Sequence, residues 1–342
     1  MRAVRFHRYG RADELRVEEI PDPLPGPGEV LVRVRACAVN HWDVDMRSGT
    51  SRLALELPHT PGIEVAGDVV RLGDGVEEVA PGERVVPIFQ WHCGRCEWCA
   101  AGHHHHCSQV RMLGVTEPGG YAEYVVVPGW TLRRLGDGVA YEAAAALQGT
   151  YAPVWHALAV RVGLQPGMTV LVNAVGGGAG SAGLQVALVL GARVIASAGS
   201  DDKLRRALVE GAEATVNNRT EDLTARVREL TGGRGVDVVL ECVGGELFGA
   251  SLAALARDGR LVTIGAHAGE EVPLDIVPLF RNQWSIIGSV RCTVPDIERV
   301  LQLLTDGRIR PIIHRTYPLE EAARAHDDLE ERRHYGKLIL VP

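Results

Sequence analysis

Four of the seven cysteines fall in one stretch, CGRCEWCAAGHHHHC, at Cys93, Cys96, Cys99 and Cys107. Spacings of three, three and eight residues let a short lobe (residues 91–107) wrap four thiolates around one tetrahedral zinc ion. A set closed by four sulfurs leaves no open coordination position, so this metal is a structural Zn2+ that braces a loop and carries no chemistry. Two disulfides, which suit a reducing compartment poorly, or four free thiols are the alternatives. His103, His104, His105 and His106 lie inside the same lobe. One of them could displace a cysteine, but the plainer reading is a solvated tract with weak metal affinity. Cys37, Cys242 and Cys292 are scattered.

A second chemical feature is the glycine-rich turn GGGAGSAGLQVALVLGA, which follows the apolar segment TVLVNAV and precedes ARVIASA. Strand, glycine turn and helix in that order bring backbone N–H groups and a helix amino terminus to a pyrophosphate. Gly178, Gly180 and Gly183 match GxGxxG literally, whereas Gly177, Gly178 and Gly180, with Ala179 between them, lie closer to the strand end. The second set is preferred for contact with a dinucleotide. A turn kept only for tight packing is the plainer alternative. An NAD-selective site places an acid on the ribose about 20 residues past the glycines, and here that position is Ala198. Small Ser197, Gly199 and Ser200 leave room for a 2′-phosphate, to which Lys203 and Arg219 offer charge. That pattern favours NADP, although Asp201 and Asp202 could instead meet a hydroxyl or cap the next helix.

The elements that must hold these features change character along the chain. The first third reads as short alternating strands broken by Pro and Gly, such as EVLVRVRA, IEVAGDVVRLG, ERVVPIF and YAEYVVVP. Such a pattern suits an antiparallel barrel or sandwich. From about Tyr141 a helical segment, EAAAALQGTYAPVWHAL, gives way to buried apolar strands alternating with helices, the mark of a parallel sheet. Gly244, Gly265, Ala266 and His267 lie at the ends of later strands, where open parallel sheets bind ligands. The closing stretch, PLEEAARAHDDLEERRHYGKLILVP, carries a helix and a strand that fit either domain.

Composition limits the functions available. The 342 residues carry 36 Lys plus Arg against 43 Asp plus Glu, a net charge of -7, which is the wrong sign for neutralising nucleic-acid phosphates. No apolar run approaches the roughly 18 residues of a membrane span, and the start, MRAVRFHRYGR, lacks the apolar core of a secretion signal. A cytoplasmic protein acting on a small molecule, without nucleic-acid or membrane partners, is the expectation.

The segments EVLVRVRACAVN, PGIEVAGDVV, the cysteine lobe, GGYAEYVVVP, VGGGAGSAGLQVA with ARVIASAGSDDKL, and VDVVLECVGG with RLVTIGA together resemble the medium-chain dehydrogenase/reductase superfamily. The resemblance implies an α/β fold: a GroES-like β-barrel catalytic domain over 1–128 and 296–342, and a Rossmann domain over 129–295. It also implies an active site in the cleft and a homodimer or homotetramer. It further exposes a departure. Where the alcohol dehydrogenases carry catalytic-zinc ligands, this chain aligns Asn40, Ile63 and Gly149, and their proton-relaying hydroxyl aligns with Trp42. Isoleucine and glycine side chains cannot ligate, so no catalytic zinc is expected.

Asn40, Asp43 and Arg47, in NHWDVDMRSG, look like the zinc-independent quinone oxidoreductase branch, whose members often lack the cysteine lobe. Cys37 reads as a core residue. His41 either touches the cofactor or donates a proton, or is plain surface. His59, Glu64, Asp43 and His41 are the candidates for an unorthodox metal site, and Pro153 replaces a threonine common near the nicotinamide. The expected activity is hydride transfer from NADPH to a quinone or α,β-unsaturated carbonyl, whose conjugation already polarises the acceptor. Asn40, Asp43 and His41 are the candidate catalytic residues. Alcohol dehydrogenase or carbonyl reductase chemistry in an atypical site is the second reading, and a non-catalytic NADP-binding protein the third.

Overall fold

Alternating apolar residues make EVLVRVRACAV the strand Glu29–Val39, on which the first unit of the chain is built. The computed structural model describes residues 1–342 and divides into a unit of Met1–Gly149 with Thr293–Pro342 and a unit of Thr150–Cys292. In the first unit Glu29–Val39 pairs antiparallel with Glu64–Leu72, Tyr124–Pro128 and Lys337–Val341. The sheet continues through Arg84–Pro87 to Leu132–Arg134 on one side and to Ile313–Pro318 on the other. Val30, Val32 and Val34 bury against Val65, Val85, Phe6 and Tyr121. Ala36, Ala38 and Ala66 form a second cluster with Ile339, and their small side chains let Ala144 and Ala145 of the helix Tyr141–Ala145 approach closely. The closing strand therefore returns to the first unit.

The first boundary falls after Gly149 and not after 128. Residues 129–149 stay with the first unit because Leu132–Arg134 pairs with Arg84–Pro87 and the helix Tyr141–Ala145 packs beneath the sheet. The second boundary falls before Thr293, which caps the helix Val294–Thr305, with its hydroxyl accepting from Asp296 N.

The second unit is a sheet of six parallel strands. In spatial order they are Ala214–Asn217, Arg193–Ala198, Thr169–Val172, Val236–Glu241, Leu255–Thr263 and Ser285–Gly288. Chain order runs outward in both directions from Thr169–Val172, the doubly wound arrangement whose switch point binds ligands at the carboxyl ends of the strands. Leu171, Ile195, Val216, Val239 and Leu261 form its core with Phe248 and Leu252. The edge strand Ser285–Gly288 and the helix Ile276–Arg281 bury little, and Phe280 is 61% exposed. No helix is long and apolar enough to cross a membrane.

Candidate functional site

The cysteine lobe is held by the short pairing of Gln90–Trp91 with Arg111–Met112 and carries the helical turn Glu97–Ala100. The sulfurs of Cys93, Cys96, Cys99 and Cys107 all lie within 4.8 Å of one another, and Sγ–Sγ distances include 3.9 Å (93–99), 3.5 Å (96–99) and 3.9 Å (96–107). A tetrahedron with Zn–S bonds of about 2.3 Å has edges of about 3.8 Å, so the four residues fit a zinc ion. Backbone N–H groups favour the thiolate form at two of the four: those of Cys99 and Ser108 draw Cys96 down to about 6, and Cys93 is lowered chiefly by the N–H of Arg95, whereas burial pushes the Cys99 thiol up to about 12. This is the group of three or more potential ligand side chains that the fold brings together.

The unorthodox set does not converge. His59 Nε2 bonds the Gly114 carbonyl at 3.0 Å, and burial holds its imidazole below the usual range. Asp43 caps the helix His41–Ser48, accepting from the N–H of Asn40 at 2.8 Å and of Gly62 at 3.2 Å. It is fully buried, and desolvation raises its carboxyl to about 7. In this structure Asp43 organises the turn after Asn40, with its carboxylate engaged by two backbone N–H groups. His41 is the first residue of that helix and half-buried. Cys37 is buried in the core, which pushes its thiol well above the ordinary range.

Asn40 ends the strand Glu29–Val39, Glu64 begins Glu64–Leu72, and Lys337 begins Lys337–Val341. Pairing of Ala38 with both Glu64 and Ile339 brings the three together. Asn40 Nδ2 donates to Glu64 Oε2 at 2.9 Å, and Lys337 Nζ reaches the same oxygen at 2.9 Å and Asn40 Oδ1 at 2.6 Å. The N–H of Gly149 donates to Glu64 Oε1. A Cβ on Gly149 would lie 2.9 Å from Glu64 Cδ, so the carboxylate fills the space a ligating side chain would need. Ile63 is buried in the apolar core. The residues here do not fit a catalytic zinc: the one carboxylate, Glu64, is taken up by Lys337, Asn40 and the Gly149 N–H, and an ammonium, an isoleucine and a bare glycine complete no tetrahedral donor set around it.

In the second unit Gly177 caps the helix Gly178–Val189, whose first intrahelical bond runs from Ser181 N to Gly177 O. Gly178, Ala179 and Gly180 thus present first-turn N–H groups with no carbonyl one turn back inside the helix, which is what an anionic pyrophosphate requires. Gly183 serves packing, since a Cβ there would meet Leu240 Cδ2 at 2.4 Å. Ala198 closes the next strand and Ser200 caps the helix Asp201–Val209. Asp201 accepts from Asn217 Nδ2 at 2.6 Å, and Asp202 pairs with Arg205. The Lys203 stem lies over Gly176 and Arg219 over Gly199, so both cations border the glycine turn and the strand end.

Gly244, Gly265 and Ala266 are also brought together. A Cβ on Gly244 would lie 3.0 Å from Ala266 Cα, and Ala268 N bonds Val243 O at 2.7 Å. His267 is in the same loop and exposed. Beneath them Glu241, fully buried, accepts from Val243 N at 2.5 Å and Gly244 N at 2.9 Å through Oε1, and from Asn173 Nδ2 at 2.6 Å and the Ser251 hydroxyl at 3.2 Å through Oε2.

Glu241, Asn173 and Lys337 were not reached from sequence. For Lys337 one signal existed: of 36 basic residues only Lys203 and Lys337 are lysines.

Residues 26–137 match the family Alcohol dehydrogenase GroES-like domain, and residues 178–306 match Zinc-binding dehydrogenase. The chain is 33% identical to an NAD-dependent alcohol dehydrogenase of Sulfurisphaera tokodaii, covering 100% of both. It is 30% identical to a quinone oxidoreductase of Rattus norvegicus, covering 100% of this chain and 98% of the relative. A solved structure described as an NAD-dependent alcohol dehydrogenase superposes with a TM-score of 0.96 at 42% identity, covering 100% of both chains.

Proposed function

Because this chain belongs to the medium-chain dehydrogenase/reductase superfamily, and so is an NAD(P)-dependent oxidoreductase, we propose that it transfers hydride from NADPH to a quinone or α,β-unsaturated carbonyl without a catalytic zinc. The observation that carries the reading is the cluster of Asn40, Glu64 and Lys337, with Gly149, at the place where a zinc-dependent enzyme needs ligands. An acceptor that must be polarised by a Lewis acid finds none there, whereas a conjugated one needs only a hydrogen bond at the oxygen that gains charge.

Bound NADPH supplies the hydride. The N–H groups of Gly178, Ala179 and Gly180 and the helix dipole behind them hold its pyrophosphate. Lys203 and Arg219 meet a 2′-phosphate, and the engagement of Asp201 by Asn217 and of Asp202 by Arg205 removes the two acids that would favour a free hydroxyl. The Gly244, Gly265, Ala266 and His267 loops border the nicotinamide half. Asn40 orients cofactor or substrate through its amide, and hydride added to the electron-poor carbon leaves an oxyanion that takes a proton from water. Cys93, Cys96, Cys99 and Cys107 hold one structural zinc. The exposed apolar edge at Ile286, Phe280 and Val290 suits a homodimer or homotetramer.

The test is NADPH oxidation against a panel of quinones and enones, with NADH in parallel. Turnover with NADPH is expected, and its absence across the panel overturns the reading. Likeness to the NAD-dependent alcohol dehydrogenase of Sulfurisphaera tokodaii favours a second reading, oxidation of alcohols with NAD. Alcohol-dependent NAD reduction by the same preparation would put it first.

A further inference from the structure

Lys337 is the residue of the Asn40 cluster that nothing above assigns. Its Nζ has three oxygens around it: Asn40 Oδ1 at 2.6 Å, Glu64 Oε2 at 2.9 Å and Val39 O at 3.0 Å. An ammonium has three N–H donors, so each oxygen takes one. The lysine side chain is 4% exposed and the Glu64 side chain 0%. Burying such a pair is costly unless each remaining site is hydrogen-bonded, and here the amide of Asn40 and the N–H of Gly149 complete the carboxylate.

The arrangement dictates the state of Asn40. An ammonium only donates and a carboxylate only accepts, so the amide can stand in one way alone, with oxygen to Lys337 and nitrogen to Glu64. The flipped amide would set N–H against N–H and oxygen against oxygen. Composition points to the same residue independently. The chain uses Arg for 34 of its 36 basic residues, and surface carboxylates are met by the planar guanidinium fork, as in Arg234 with Asp237. A tripod of oxygens about one point suits a compact tetrahedral donor, and there the chain has a lysine.

We propose that Lys337 is a positioning residue for the reaction: its buried ammonium, bonded to Asn40 Oδ1 and Glu64 Oε2, locks the Asn40 amide in one orientation. This rests on the reading that Asn40 orients cofactor or substrate.

The test uses the full-length, zinc-loaded protein with K337M, K337R and K337A. Selective 15N labelling of asparagine gives five side-chain amide signals, of which that of Asn40 is the one lost in N40S. In the wild type this signal is single and sharp. In K337M and K337A it shifts and broadens, and n-propylammonium, which replaces the atoms removed in K337A, restores it saturably while tetramethylammonium at equal ionic strength does not. In turnover, K337M and K337R lower kcat on the order of 10²-fold, as expected for a misplaced group, while the NADPH Kd changes less than about threefold because the nucleotide's own N–H donors are untouched. An unchanged Asn40 signal in K337M, no response of K337A to propylammonium, or wild-type kcat in K337R would each overturn the proposal. If the wild type itself turns over no quinone or enone, the functional reading fails, and the amide signal alone decides the role of Lys337.

Discussion

The buried Glu241 network gives a prediction whose size follows from counting donors. In E241M a side chain of similar length loses both carboxylate oxygens. Asn173 Nδ2 keeps the Ser251 hydroxyl at 2.7 Å, but Val243 N, Gly244 N and the Ser251 hydroxyl lose the acceptor the structure gives them. Each buried donor left unsatisfied costs about 1–3 kcal/mol, and the hydroxyl can rotate to another partner while the two backbone N–H groups cannot, so E241M should destabilise by roughly 2–6 kcal/mol. E241Q should be far milder. If the new amide keeps its oxygen on Val243 N and Gly244 N, its nitrogen faces Asn173. Asn173 can then flip, because the Ser197 hydroxyl that now donates to Asn173 Oδ1 at 2.7 Å can equally accept. A cost of about 1 kcal/mol or less follows. Urea denaturation followed by tryptophan fluorescence measures both, and NADPH titration reads the turn, which should bind more weakly in E241M than in E241Q. Equal damage from the two substitutions, or E241M within about 0.5 kcal/mol of wild type, would refute the donor count.

Three further outcomes are expected. His326 is buried, its Nε2 2.9 Å from the Tyr121 hydroxyl, and burial with the Arg47 and His41 charges depresses its imidazole to about 3. A depressed histidine contributes stability that is present above pH 6.5 and is lost as pH falls towards 3, about 2 kcal/mol by pH 5, and denaturation curves of H326Q should lack that loss. Purified protein should hold one zinc per chain that survives mild chelation, whereas C99S should release it and expose the lobe to protease, as zinc analysis and limited proteolysis will show. K203A and R219A should each weaken NADPH binding on the order of tenfold and leave NADH binding nearly unchanged, since a charge-assisted bond to a phosphate is worth about 1.5–3 kcal/mol; equal losses for both nucleotides would remove these residues from the 2′-phosphate.

Both architectures were legible because periodicity and punctuation act locally. Alternation in EVLVRVRACAV announced a half-buried strand, and the glycine turn between TVLVNAV and its helix announced a nucleotide-binding crossover. The cysteine spacing marked its lobe for the same reason, since all four ligands lie within fifteen residues of chain. What escaped depends on pairing between distant segments. Lys337 reads as one more residue of a closing strand until that strand is set beside Glu29–Val39. Asp43 looked like a reactive acid because its place in a first helical turn, with its carboxylate folded back on Asn40 N–H, is a matter of backbone direction and not of residue type. The boundary at Gly149 is not marked locally, because glycines punctuate residues 129–149 at several points and their allegiance is fixed by the pairing of Leu132–Arg134 with Arg84–Pro87.

The return of the strand Lys337–Val341 has a consequence for the order in which the molecule is made. Val39 O and Lys337 Nζ are bonded across 298 residues of sequence, and translation at about 5–20 residues per second separates them by roughly 15–60 s. During that interval Thr150–Cys292 has emerged whole and can form its sheet, while Glu64 faces its own amide donors with no cation beside it and the sheet of the first unit keeps an open edge along Glu29–Val39. A nascent chain therefore completes the parallel-sheet unit before it has a finished Asn40, and a chain that stops short of residue 337 leaves that amide without its cation.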